Sequence, residues 1–167
     1  MGRAGNHEPQ LEQNMSEYLA TVEWHRNGAV FTDRKYSRGH QWSFDGGVDV
    51  PASSSPHAVR FPYSVEHAVD PEEALVAALS SCHMLTFLYL SARKNFLVDS
   101  YRDEAIGFME KNEMGRLAIT RVTLRPEIKF GGDVTPTADE LEQLHHAAHE
   151  ECYIANSVKS DVRVEPR

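Results

Sequence analysis

The sequence predicts an α+β fold, a mostly antiparallel sheet packed around one long, buried, central helix. Three observations predict it. Asp70 to Leu90 is the most apolar stretch in the chain and opens on a dense helix-start signal. On both sides of it lie segments that alternate at period two and end at turn residues. The order of elements is strands, helix, strands, helix, strand.

At 167 residues with a net charge of -8, the chain suits one soluble domain with a sizeable core. The acidic balance argues against an electrostatic grip on nucleic acid or an anionic membrane. Met1 to Ser16 is polar, lacks an apolar h-region and carries Asn6 where a myristoylation signal wants Ser or Thr, so residues 1–16 read as a mobile tail ahead of a single domain, 17–167. The expected location is cytoplasmic.

Taken in order, Tyr18 to Trp24 alternates as a half-buried strand should. Asn27-Gly28 follows, the strongest short hairpin signal, and predicts a returning strand over Ala29 to Thr32. A third strand, His40 to Phe44, ends at Gly46-Gly47, and the Ser- and Pro-rich segment Val50 to Ser64 reads as a long surface loop of the kind that often serves as a lid. Asp70-Pro71-Glu72-Glu73 supplies an N-cap, a first-turn proline and a capping box. The helix should run to about Ala92. Its apolar residues lie on nearly every face, so it should be covered all round, while Ser80, Ser81, His83 and Thr86 argue against a bilayer span.

Beyond it, Asp99 to Met109 and Leu117 to Phe130 read as two long strands of one hairpin, with Pro126 marking an edge or bulge. Thr137-Ala138-Asp139-Glu140 is a second capping box, starting a helix that runs to about Glu151, and Val158 to Val164 alternates as a closing strand.

The chemistry rests on two cysteines. Cys82 lies in the central helix and Cys152 just past the second one, 70 positions on. No local CxxC arrangement exists, and two cysteines are too few for a disulfide scaffold. Composition favours two buried, inert thiols; a reactive thiol needs a cationic neighbour and access. His145, His149 and Cys152 share a helical face, a spacing that could bind zinc if Cys82 or His83 completed the set, although a polar face carrying histidines is the commoner explanation. The aromatics Phe87, Tyr89 and Phe96 read as core.

DPEEALVAALSSCHM resembles the central-helix motif of the OsmC/Ohr family of hydroperoxide reductases, and ECYIANSVKSDV resembles its second cysteine segment. The likeness extends over the strand order from about Tyr18 onward. It implies an OsmC-like, intertwined homodimer and a thiol peroxidase acting on organic hydroperoxides, without a metal or organic cofactor. On this resemblance Cys82 maps onto the peroxidatic cysteine, Cys152 onto the resolving one, and the disulfide between them is reduced by an external dithiol, for similar proteins often a lipoylated protein. Glu72 maps onto the glutamate that orients a thiolate-stabilising arginine. Arg26 best resembles that arginine and Arg38 competes; the chain departs from the OsmC pattern in placing Ser43 before Phe44-Asp45-Gly46.

Ten residues of straight helix separate Glu72 from Cys82 by roughly 15 Å. Glu72 can therefore join the site only through a break in the helix, a bridging arginine or a second subunit. The other reading is a non-catalytic small-molecule or zinc-binding dimer with the same fold.

Overall fold

The computed structural model describes residues 16–167, so the expected tail lies, but for Ser16, outside the described residues. Three strands come first. β1 (Ala20–Glu23), β2 (His40–Phe44) and β3 (Asp49–Ala52) form an antiparallel sheet in the order β1-β2-β3. Trp42 sits opposite Val22 on one side and Val50 on the other.

Asn27 and Gly28 both take positive φ (49° and 79°), as a two-residue hairpin turn requires. The expected returning strand over Ala29 to Thr32 does not form. The Trp24, Phe31 and Tyr36 rings gather instead, with centroids 4.7 to 5.9 Å apart, and the chain closes into a 3-10 turn over Phe31–Asp33. The partner of β1 is therefore β2, from further along the chain.

The segment taken as a surface loop is also only partly one. It opens in β3, and Ser53 continues inward, its N–H donating to Val69 O at 3.0 Å and its hydroxyl accepting from the Val65 N–H at 3.0 Å. Ser53, Ser55 and Ser64 are buried. The Val65 N–H satisfies the Ser53 hydroxyl and the His57 N–H the Ser55 hydroxyl, a local pairing that period-based reading does not detect.

α1 (Pro71–Arg93) is an unbroken helix, and both halves of its capping box form between Asp70 and Glu73. Leu79, His83, Phe87 and Ser91 make its buried stripe at intervals of four. The all-round cover expected from the sequence is absent within one chain, since Leu85 is 61% and Tyr89 57% exposed. By length and composition α1 could cross a bilayer; here it packs on α2 (Ala138–Glu150) and on β4, β5 and β6.

The two long strands each divide. β4 (Val98–Asp103) pairs antiparallel with β7 (Pro126–Phe130), and β5 (Ile106–Lys111) with β6 (Leu117–Leu124). Asp103 sits at the division, accepting from the Arg125 N–H at 2.6 Å and from the Ser80 hydroxyl at 2.5 Å. One carboxylate thus ties both strand breaks to α1. Gly107 brings β5 against the helix, for a Cβ there would lie 2.7 Å from Val76 Cγ2. β8 (Asp161–Val164) adds to β6 in parallel, a single departure from antiparallel pairing among the described strands.

Two clusters form the core. Phe87, Phe96, Leu144 and Ala148 fill the space between α1, α2 and the β4–β7 pair. Leu79, Val122 and Leu124 seal α1 against β6 and β8. A fully buried phenylalanine such as Phe87 contributes about 1.5–3 kcal/mol from its apolar surface alone.

Candidate active site

Cys82 enters from α1 and is half-buried, whereas Cys152, the second residue beyond α2, is 1% exposed. Both are free thiols. α2 begins where Thr137 and Glu140 complete their capping box, and its 13 residues carry the chain to the α1 surface. The turn after it is held by Asn156, whose backbone N–H and side-chain amide both donate to Cys152 O, at 3.0 and 3.1 Å.

The folded chain makes the Cys82 and Cys152 side chains neighbours, close enough for Cys82 to bear on the Cys152 pKa. Burial, followed by the Cys82 thiol, pushes the Cys152 pKa up to about 11, although the Ala155 N–H donates to its sulfur at 3.4 Å. Cys152 therefore holds its proton at neutral pH, and Cys82 is the more exposed of the two residues.

Beside the thiols lies a buried histidine pair. His83 Nε2 and His145 Nδ1 are 3.1 Å apart, and the two side chains are 1% and 4% exposed. Desolvation, joined for His83 by the neighbouring His145 and His149, lowers both pKa values to about 4. Both rings are thus neutral at pH 7. Among the described residues no three His, Cys, Asp or Glu side chains converge as metal ligands, and of the zinc alternative's histidines His83 and His145 bond to each other.

Glu72 stands elsewhere. It lines a groove of about 1150 Å³ between α1 and β5–β6, together with Val76, Ser80, Met84, Tyr101 and Met109. Its Oε2 is buried and has no partner among the described residues. Because α1 is continuous, a broken helix is ruled out as the route from Glu72 to Cys82. Neither arginine bridges the gap in this chain. Arg26 is exposed and donates to Ala29 O at 2.7 Å; Arg38 donates to Arg34 O and Tyr36 O at 2.9 and 2.5 Å and lies over the Tyr36 ring. The structure therefore joins Cys82 with Cys152 and leaves Glu72, Arg26 and Arg38 apart from them. Sequence reasoning missed the Asp103 clamp and the His83–His145 bond. Nothing local marks Asp103, whereas the two histidines at apolar helix positions were a visible signal.

Fold and site together define an α+β protein that holds two free cysteines together where a central helix meets a second one. The OsmC-like protein family model matches residues 64–167, and the chain belongs to that family. An OsmC-like protein of unknown function from Vibrio cholerae is 53% identical, with a TM-score of 0.90 over 92% of this chain and 100% of its own. An organic hydroperoxide resistance protein from Elizabethkingia anophelis is 15% identical, with a TM-score of 0.67 over 92% of this chain and 96% of its own. OhrB of Bacillus subtilis, another organic hydroperoxide resistance protein, is 20% identical, with a TM-score of 0.63 over 91% and 98%. These last two likenesses speak to the fold. No curated protein sequence matches the chain significantly.

Proposed function

We propose that this protein is a cysteine peroxidase that reduces organic hydroperoxides. The observation that carries this reading is the pairing of a half-buried thiol, Cys82, with a fully buried, protonated one, Cys152, within reach of it. The Cys82 thiolate attacks the O–O bond of the hydroperoxide; the alkoxide leaves, takes up a proton and departs as an alcohol, and Cys82 becomes a sulfenic acid. Cys152 then attacks the Cys82 sulfur, the hydroxyl leaves with the Cys152 proton as water, and a disulfide remains. A dithiol reductant, of which a lipoylated protein is one kind, returns both thiols. The chemistry needs no metal and takes place in a reducing compartment such as the cytoplasm.

The reading includes a homodimer. An apolar helix face carrying Leu85 and Tyr89 lies open, as does β1–β2 surface carrying Val22, Trp24 and Phe44. Glu72 has a buried oxygen without a partner among the described residues. A second subunit would cover the first and bring a cation, Arg26 or Arg38, to the second.

The test is one equivalent of cumene hydroperoxide followed by non-reducing mass spectrometry. Loss of two thiols as one intramolecular disulfide is expected, with Cys82→Ser inert and Cys152→Ser completing one turnover to a sulfenic acid that dimedone traps. Two thiols still titratable after exposure would overturn the reading and favour a non-catalytic binding protein.

A further inference from the structure

The two histidine rings between α1 and α2 are arranged more specifically than burial alone requires. Their planes are 7° apart and their centroids 5.4 Å apart, while the facing nitrogens are 3.1 Å apart. A nitrogen lies about 1.2 Å from the centre of an imidazole ring. The centroid separation is thus accounted for only if both nitrogens lie on the line joining the ring centres. The rings are coplanar and end to end, sharing an in-plane N–H···N hydrogen bond, and are not stacked faces.

This is the only side-chain hydrogen bond between α1 and α2 among the described residues. The remaining ring atoms have no alternative: His83 Nδ1 and His145 Nε2 are buried without partners among the described residues. Separating the rings would leave both imidazoles wholly unsatisfied, a cost that sliding apolar contacts do not carry. Phe87 packs against His145 at 4.6 Å and fixes the ring from the side. The bond also sits beside the sulfurs in sequence, for His83 follows Cys82 directly and Cys152 lies two turns of chain beyond His145.

We propose that the His83–His145 hydrogen bond is an interhelical latch that sets the approach of Cys82 to Cys152, making these two histidines positioning residues for disulfide formation and not for the attack on peroxide. The inference rests on reading Cys82 and Cys152 as a dithiol pair. The latch fixes the register of α1 on α2, and register decides the effective concentration of one thiol at the other. Attack of Cys82 on a hydroperoxide needs no such register.

The experiment equilibrates the whole protein in glutathione redox buffers, where protein dithiol and oxidised glutathione give protein disulfide and two reduced glutathiones. Disulfide is quantified after acid quench, and loss of the Cys82 thiol to cumene hydroperoxide is timed separately. His83→Phe and His145→Phe keep a ring but remove the bond. His83→Gln and His145→Asn place an amide where Nε2 and Nδ1 stood. The Phe variants should lower the dithiol–disulfide equilibrium constant about tenfold, the amide variants less than threefold, and the peroxide step should stay within twofold throughout. Phe variants coupling as well as wild type, or amide variants failing as badly as Phe, would overturn the latch. Because the glutathione readout uses no peroxide, a protein inert to hydroperoxide but showing the expected series would sink the peroxidase reading alone. Wild type that forms no Cys82–Cys152 disulfide in any buffer would sink both. Circular dichroism identifies a Phe variant that fails to fold, and the amide pair then carries the comparison: both amide variants falling tenfold while remaining folded would count against the latch.

Discussion

Lowering the pH should destabilise this protein through its two buried imidazoles well before its carboxylates titrate. His83 and His145 have pKa values near 4 in the folded chain against 6.5 when free, chiefly because burial disfavours the imidazolium. Between those values the unfolded chain binds more protons than the folded one, so stability rises with pH across that window and falls on acidification. At pH 5 each ring costs about 2 kcal/mol relative to pH 7.5, and the pair about 4 kcal/mol if they titrate independently. For His83 the neighbouring His145 and His149 add to the penalty, and the Asp103 carboxylate opposes it. A loss of that size is a large part of the stability of a typical domain. The assay is urea unfolding followed by circular dichroism from pH 7.5 to 4.5, at fixed ionic strength and protein concentration. In His145→Asn the fall between pH 7.5 and 5 should shrink by about half, to about 2 kcal/mol. A stability that changes by less than about 1 kcal/mol over this range, or an unchanged slope in His145→Asn, would refute the claim that burial holds these rings neutral.

Two further outcomes follow from the packing. Asp103→Ala removes the acceptor shared by the Arg125 N–H and the Ser80 hydroxyl and should cost about 1–3 kcal/mol in urea unfolding at pH 7.5; Asp103→Asn, which keeps an acceptor, should cost less. Sedimentation velocity at micromolar concentration should give a dimer that Leu85→Asp converts to a monomer, because this substitution puts a charge into the open apolar face of α1.

Much of the local structure was legible in the sequence because it is encoded by neighbours. Both helices begin at the residues their capping boxes dictate, since Asp70 and Thr137 act on the N–H groups three positions ahead. The Asn27-Gly28 turn formed for the same reason, with positive φ at both residues. Pairing was less legible. β1 joins β2 and not the residues just past the turn, and β8 runs parallel to β6, because such choices depend on surfaces far apart in the chain. Buried Ser53 and Ser55 could not be found by hydropathy, since their hydroxyls are satisfied by the backbone N–H groups of Val65 and His57.

The sequence by itself determined the α+β class, the long helix from Pro71, the positions of the two cysteines and, through Cys82 and Cys152 among their flanking residues, the likeness to the OsmC/Ohr family. Tertiary packing alone made the two cysteine side chains neighbours and left Cys152 the buried, protonated one. It also decided that α1 runs unbroken, which keeps Glu72 about 15 Å along the helix from Cys82, and that His83 bonds to His145. The physical reason is the same in each case. Capping and turn formation act over a few residues of chain, whereas the distance between two sulfurs and the pKa of a buried ring are set by which surfaces the packed helices bring together.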